Sequence, residues 1–306
     1  MPKWVKAKRF SVFTPTAYAG NQAWVVLDAE GLPDRSMRGL ANSLNPACDT
    51  AFVLPESTSE ADIYLRFFTG STEINFSGHA AIATYFALSD ETVLPLKEPD
   101  IAIKQRTKAG IQLVDLRVTG NKITRATMCL AKPDYLDIDI NLVPVAKFLG
   151  IMPDELAAMN LPLEVISTGY YDLIIPIKSL IAIKDIVPNF SLIDSFCSRL
   201  GIHGVIIFCM ETFEHGDTAF MRHFAPSLGI NEEPISGASA GALGCYLLRQ
   251  KLVEANNFSR IIIEQGYLQG RQGKVYVHLE STREQILRVK VGGNAVLTFT
   301  GYMLIP

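Results

Sequence analysis

The sequence predicts an α+β fold of two related lobes, each an antiparallel sheet wrapped round a central helix. The first reason is an internal repeat: residues 74–88 read "INFSGHAAIATYFAL" and residues 230–248 read "INEEPISGASAGALGCYLL". The flanks match as well, because "RFFTGSTEIN" starts at Arg66 and "RHFAPSLGIN" starts at Arg222. The second reason is that each half has many strand-like runs and few helical ones. Strands and helices do not alternate, which disfavours a parallel doubly wound sheet.

The individual elements follow from hydrophobic periodicity and turn residues. Strands are predicted at 9–14, 23–28, 49–55, 61–69, 100–107, 110–118, 123–130, 163–169, 172–177, 204–210, 218–226, 260–266, 274–280 and 286–304. Helices are predicted at 34–44, from Gly78 onward, within 142–159, and over the second small-residue segment. The lobes are predicted to be residues 1–145 and 146–306, with the option that the extreme C-terminal strand returns to the N-terminal lobe.

Composition limits the classes of function. The 306 residues are 48% hydrophobic and 19% charged, which is typical of a well-packed chain without a membrane helix. A net charge of −3 without a basic stripe argues against nucleic-acid binding. The first residues lack the apolar segment of a signal peptide. Five scattered cysteines without a C-x-x-C pair argue against a zinc ribbon and favour a reduced, cytoplasmic compartment.

The two small-residue helix starts predict an anion site. The N–H groups in the first turn of a helix have no partner within the helix, and the helix dipole is positive there. Around the second start, Gly237 allows close approach of a ligand, and Ser236 and Ser239 offer hydroxyl donors. If a pseudo-twofold axis relates the lobes, both starts face one cleft, which would suit a small carboxylate.

Four titratable residues are candidates for catalysis at these starts. His79 follows Gly78, Glu232 and Glu233 precede the second helix, and Asp49 ends "NPACD". A histidine and two carboxylates around an anion site suit general acid–base catalysis. The structural alternatives are a buried core histidine, N-terminal charge placement and a turn aspartate. Neighbouring Cys48 is either an acid–base thiol or an inert packed one.

A nucleotide cofactor is not predicted. The glycines of "GRQGKVYV" and "GGNAVLTFTG" do not stand between a strand and a helix in the G-x-G-x-x-G pattern, and no G-x-x-x-x-G-K-[ST] motif occurs. We therefore expect neither a cofactor nor a bound metal.

Several motifs in order resemble the phenazine-biosynthesis PhzF-like isomerase family. They are "FTPTAYAGNQAWVVLDAEGL", "MRGLANSLN", "DTAFVLP", "RFFTGSTEINFSGHA", "FAPSLGINEEPISGASAGALG", "EQGYLQGRQGKVYV" and "VGGNAVLTFTG". The resemblance implies a diaminopimelate epimerase-like fold of two lobes. It also implies a cofactor-independent isomerase that shifts a proton within a small carboxylate, and a homodimer. In the phenazine-pathway members the substrate is trans-2,3-dihydro-3-hydroxyanthranilate.

The resemblance also implies site residues. Catalytic roles fall on Asp49, His79 and Glu233, where the family has Glu, His and Asp, and the family's serine falls on Ala238. "NPACDT" is one residue longer than the family's approach to this point. The predicted substrate-binding residues are Asn21, Gly78, Ser236, Gly237, Ala238 and Ser239. These departures favour a substrate other than that of the phenazine pathway.

Two alternatives stay open. The first is an epimerase or racemase on the same fold, with Cys48 sharing the proton transfer. The second is a family member that binds a metabolite or a protein partner without catalysis.

Overall fold

Runs of β-branched and aromatic residues form strands through most of the chain, and helices are fewer. A computed structural model describes residues 4–70, 72–94, 96–282 and 285–305. Residues 1–3, on which part of the signal-peptide prediction rests, lie outside the described residues. The elements in chain order are β1 (Trp4–Val12), β2 (Asn21–Val26), α1 (Asp34–Leu44), β3 (Asp49–Leu54), β4 (Ile63–Phe68), β5 (Glu73–Ile74), α2 (Gly78–Asp90), β6 (Asp100–Thr107), β7 (Gly110–Thr119), β8 (Lys122–Cys129), β9 (Asp134–Leu136), α3 (Leu142–Leu149), α4 (Pro153–Ala157), β10 (Glu164–Ser167), β11 (Tyr171–Pro176), α5 (Leu180–Asp185), α6 (Phe190–Leu200), β12 (Gly204–Cys209), β13 (Ala219–Ala225), β14 (Ile230–Glu233), α7 (Gly237–Arg249), β15 (Phe258–Gln265), β16 (Gly273–Ser281), β17 (Ile286–Gly293) and β18 (Ala295–Leu304).

The described chain divides into two compact units. The first runs to Cys129 and resumes at Gly292, and the second is Leu130–Val291. Strand β18 belongs to the first unit, where it pairs antiparallel with β1. The sequence-based boundary between residues 145 and 146 lies inside the second unit, and as a statement about domains it stays a prediction.

The strands of the two units pair in the same order. In the first, β2 runs parallel to β3, β3 pairs antiparallel with β4, β4 with β5, and β4 runs parallel to β6. In the second, β11 runs parallel to β12, β12 pairs antiparallel with β13, β13 with β14, and β13 runs parallel to β15. The short strands β5 and β14 both lead directly into a small-residue helix. The internal sequence repeat therefore corresponds to a repeated supersecondary structure.

Helices α2 and α7 are the buried helices of their units. α2 contacts β1, β2, β3, β8 and β18, and α7 contacts β10, β11 and β16. Small side chains allow the close packing: a Cβ added at Gly241 would lie 2.5 Å from Leu130 Cδ1, and one at Gly244 would lie 2.8 Å from Val277 Cγ1. Both helices begin at the glycine predicted from the sequence. Barrel-like wrapping around them stays a prediction.

Helices α5 and α6 were not predicted from the sequence. They connect β11 to β12, a parallel pair, and parallel strands need a long crossover connection. Their capping is conventional: the side chains of Ser179 and Asn189 accept hydrogen bonds at the two helix starts, and Gly201 ends α6 in the left-handed conformation. Ile183, Ile193 and other apolar side chains of this layer pack in the core of the second unit.

No helix within the described ranges has both the length and the apolar character needed to cross a membrane.

Gly20 shapes the turn into β2 and gives a stability test. Its φ is +64°, and an added Cβ would lie 2.2 Å from Val12 O. Gly31 has a similar φ of +73°, but an added Cβ there would meet nothing within 4 Å. Gly31→Ala should therefore lower the free energy of unfolding by about 1–2 kcal/mol, which is the strain of a left-handed backbone at a residue with a Cβ. Gly20→Ala should cost roughly 1–3 kcal/mol more, because the backbone must also move.

Urea denaturation of the two alanine variants measures this difference. The substitution is the same, so its effect on the unfolded chain cancels. Equal losses in the free energy of unfolding would contradict the steric role of Gly20.

Candidate active site

The starts of α2 and α7 are built in the same way. Ser77 is the N-cap of α2: its side chain accepts the N–H of Ala80, and its carbonyl accepts the N–H of Ala81. Of the four N–H groups that a helix start leaves without a partner in the helix, the cap takes that of Ala80, because the Ala81 bond is the first regular bond of the helix. The two N–H groups before Ala80 belong to Gly78 and His79.

Ser236 repeats this cap at α7. Its Oγ accepts the N–H of Ser239 at 3.3 Å, and its carbonyl accepts the N–H of Ala240 at 3.1 Å. The remaining first-turn N–H groups belong to Gly237 and Ala238, which are half-buried. Each helix start thus presents two backbone donors at its positive end.

Asp49 and His79 lie together in the first unit. Asp49 is the first residue of β3 and His79 is the second residue of α2. His79 Nε2 is 3.7 Å from Asp49 Oδ2, and His79 Nδ1 is 3.5 Å from Ser77 Oγ. The side chains of His79 and Asp49 are 17% and 22% exposed, so both can reach a ligand.

The neighbouring strand carries Asn21. It is the half-buried first residue of β2 and pairs with Val12. Because β2 pairs with β3 through Ala23 and Asp49, Asn21 lies two residues before the partner of Asp49. Near the same strand ends, Cys48 Sγ accepts a hydrogen bond from Asn45 Nδ2 at 3.1 Å.

Glu233 contacts His223, a histidine that was not predicted from the sequence as a site residue. His223 Nδ1 is 3.1 Å from Glu233 Oε2, and His223 Nε2 is 3.2 Å from Asp172 Oδ1. His223 and Asp172 are buried, whereas 20% of the Glu233 side chain is exposed. Although burial alone lowers the pKa of His223, the Asp172 and Glu233 carboxylates raise it to about 10.

The predicted serine ligands belong to this buried network. Ser236 Oγ donates to Ser239 Oγ at 2.9 Å, and Ser239 Oγ donates to Asp172 Oδ2 at 2.8 Å. Both hydroxyl protons are therefore directed at other side chains of the protein. Ala238, next to them, has its carbonyl fixed by the hydroxyl of Thr168 at 2.8 Å.

The adjacent Glu232 has a different partner. Arg222 Nε and Nη2 each donate to the Glu232 carboxylate at 2.9 Å, and Arg222 Nη1 donates to the carbonyls of Ile183 and Ile186 in and after α5. Successive residues of a strand point to opposite faces, so Glu232 and Glu233 separate into two clusters. Glu232 is therefore part of an ion pair that fixes β14.

The first unit has the same ion pair at the matching position. Arg66 Nε and Nη2 donate to the Glu73 carboxylate at 2.8 and 2.9 Å, which holds the pKa of Glu73 below its usual value. Glu73 stands four residues before the cap Ser77, as Glu232 stands four residues before Ser236. The two arginines that revealed the repeat thus fix the strand before each helix.

His223 and Asp172 were missed because each is a single polar residue in an apolar strand. Residues 172–177 and 218–226 were interpreted only as strands, and "RHFAP" also for the arginine of the repeat. Complete burial of an aspartate inside a continuous apolar run is the signal that points to a partner.

No group of three or more His, Cys, Asp or Glu side chains in the described part of the chain has an arrangement that could hold a metal ion.

Comparison with known proteins identifies the family. The chain matches the family described as phenazine biosynthesis-like protein over residues 10–301. An uncharacterized isomerase of Clostridium acetobutylicum is 30% identical over 296 residues, which are 96% of this chain and 96% of the relative. A PhzF-family phenazine biosynthesis protein of Bacillus anthracis is 28% identical with a TM-score of 0.88, and the match covers 99% of this chain and 100% of that one.

A hydroxyproline epimerase of Agrobacterium vitis has a TM-score of 0.67 at 11% identity, over 100% of this chain and 94% of that one, and so shares the fold. The predicted mixed fold, rich in sheet, is confirmed by these structures, and the predicted enzyme class of isomerase by the relatives. The chain therefore belongs to the phenazine biosynthesis-like family.

Proposed function

We propose that the protein moves a proton between carbon atoms of a small carboxylate substrate without a cofactor. The observation that carries this proposal is the pair of Asp49 and His79, 3.7 Å apart and partly exposed, at the start of α2. An acid–base pair beside helix N–H donors suits a substrate that is itself an anion.

Asp49 is proposed as the residue that transfers the proton. Its carboxylate accepts a carbon-bound proton, and the C–H electron pair becomes part of a new double bond. The same carboxyl group returns the proton to another carbon as the old double bond opens, so no redox partner is needed. His79, within reach of the carboxylate, stabilises its charge and orients it.

The backbone N–H groups of Gly78 and His79 in the first unit, and those of Gly237 and Ala238 in the second, are each assigned as a donor pair for an anionic group of the substrate. The hydroxyls of Ser236 and Ser239 already donate within the protein. The backbone is therefore the better donor, and Ala238 needs no side-chain oxygen for this role. Glu233 is assigned to the same reaction as a hydrogen-bonding carboxylate, and Asn21 as a polar contact to the substrate.

The PhzF resemblance also suggests a homodimer, which sedimentation of the purified chain would test. The phenazine-pathway compound is one candidate substrate among small amino and hydroxy acids, because Asp49, Glu233 and Ala238 differ from the family's residues.

Deuterium incorporation tests the proton transfer. The protein is incubated in heavy water with trans-2,3-dihydro-3-hydroxyanthranilate and a panel of amino and hydroxy acids, and mass spectrometry detects carbon-bound deuterium. We expect exchange in one compound and a loss of at least about 100-fold in Asp49→Asn, because general acid–base groups contribute on that scale.

Asp137→Asn is the matched control, since Asp137 is exposed and the substitution changes charge in the same way. It should exchange at the wild-type rate. Exchange that persists in Asp49→Asn would contradict the role of Asp49, and no exchange in any compound would contradict the proposed function.

An epimerase that uses Cys48 is the second candidate. The hydrogen bond from Asn45 Nδ2 to Cys48 Sγ favours it, because such a donor stabilises a thiolate. Cys197, Cys209 and Cys245 are buried, and burial raises the pKa of each thiol to about 12. An alkylating reagent should therefore react first with the half-buried thiols.

If Cys48 is the catalytic thiol, iodoacetamide abolishes deuterium exchange, and bound substrate protects the protein from the reagent. Cys48→Ala is then inactive, whereas Cys129→Ala is active. Wild-type exchange in Cys48→Ala would eliminate the epimerase with a catalytic thiol and leave the Asp49 reaction.

A further inference from the structure

A buried histidine joins two carboxylates beneath the start of α7. Both ring nitrogens of His223 face carboxylate oxygens, Asp172 Oδ1 at 3.2 Å and Glu233 Oε2 at 3.1 Å. The second oxygen of Asp172 accepts the Ser239 hydroxyl. The ring of His223 therefore has a carboxylate oxygen next to each nitrogen. Both oxygens of Asp172 are also in contact, one with His223 and the other with Ser239.

This geometry fits only a protonated ring if both carboxyl groups are ionised. A neutral imidazole has one N–H donor, so its other nitrogen would oppose a carboxylate lone pair. The two anions favour the charged ring, in line with the pKa of about 10 for His223, which they raise against the effect of burial. At neutral pH the ring of His223 is then a cation that faces a carboxyl group at each nitrogen.

The other groups around the ring do not change the charge expected for His223. On β12, a Cβ added at Gly204 would lie 2.7 Å from His223 Nε2, so the ring packs on bare backbone there. From α6, Cys197 is within electrostatic reach of Asp172. Burial, with a contribution from Asp172, raises the pKa of its thiol to about 12, so the thiol is neutral. The titratable groups that face His223 directly are thus Asp172 of β11 and Glu233 of β14.

The cluster occurs in only one of the two repeated supersecondary structures. His223 and Glu233 are cross-strand partners, and the corresponding partners in the first unit are Phe67 and Ile74. The Arg–Glu pair that fixes each strand is common to both units, whereas the histidine and its carboxylates are not. An ion cluster added to an otherwise apolar position costs desolvation free energy and needs a functional reason.

We propose that His223 is a positioning residue of the reaction, whose ring, anchored by Asp172, orients the Glu233 carboxylate as a hydrogen-bond acceptor for the substrate. This proposal rests on the proposed role of Glu233. His223 itself does not touch substrate, because it is buried, while Glu233 remains 20% exposed. A carboxylate oriented in this way complements an N–H or O–H group on the substrate.

The first experiment measures the ring without any substrate. Nitrogen-15 NMR of the intact protein follows its five histidines, and the His223 signals are assigned by their loss in His223→Gln. We expect both ring nitrogens to carry protons at pH 8. Glu233→Gln and Asp172→Asn should each lower the pKa of His223 by about 1–3 units. A wild-type His223 that loses its proton near pH 6.5 would overturn the proposal.

The second experiment uses the compound that shows deuterium exchange. His223→Gln should lower kcat by about 10–100-fold, as a displaced contact group does, with a smaller change in KM. Glu233→Gln should lower kcat to a similar extent, and the double variant no further, because His223 acts through Glu233. His215→Gln, at an exposed position, is the control and should match the wild type.

Fully additive losses, or an unchanged kcat in His223→Gln, would show that the ring has no positioning role. If His223→Gln does not fold, Asp172→Asn replaces it in the same double-variant comparison. If no compound exchanges deuterium, the positioning role falls with the proposed function. The NMR result still decides the protonation state, so the two failures are distinguishable.

Discussion

The ion cluster of His223 with Asp172 and Glu233 is the constraint on which the second unit depends. It links β11, β13, β14 and α7 at one buried point, through contacts of 2.8–3.2 Å. Removing one member of such a cluster leaves a buried charge without its partner, which typically costs about 3–5 kcal/mol. The cluster therefore fixes the strand that carries Glu233 and the helix start at Gly237 and Ala238. Structure and proposed chemistry use the same residues.

The repeated helix start explains how one chain can use this architecture twice for different purposes. In both units the side chain of a serine N-cap accepts one first-turn N–H group and leaves the two before it, and an arginine–glutamate pair holds the preceding strand. The differences lie in the titratable residues: Asp49 and His79 in the first unit, Glu233 and His223 in the second. One pair is partly exposed at 3.7 Å, whereas the other is tied to a buried aspartate. In the proposed reaction the repeat supplies anion-binding backbone, and the residues that differ between the units supply the acid–base pair of the first unit and the hydrogen-bonding carboxylate of the second.

The sequence was sufficient for features set by local physics. Ser77–Gly78 and Ser236–Gly237, followed by small residues, predicted both helix starts correctly. Helices α5 and α6 have ordinary caps, but no element was predicted between the strands at 172–177 and 204–210, so the crossover that β11 and β12 require was missed. The proximity of Asp49 to His79 came from family resemblance, because they are thirty positions apart in the sequence and only the packing of β3 beside α2 brings them together. Asp172 and His223 could not be paired from sequence, since their contact depends on the non-local order of β11, β12 and β13.

The most direct test of the central claim, that a charged His223 holds the cluster together, is the free energy of unfolding against pH for wild type and His223→Gln. A histidine pKa raised from 6.5 to about 10 stabilises the fold fully below pH 6.5, and this stability is lost as pH rises to about 10. The account predicts that the wild-type advantage falls by roughly 1.4 kcal/mol per pH unit across that window. Lysines and tyrosines titrate in both proteins and cancel in the difference. An advantage that is constant from pH 6.5 to 10 would contradict the account.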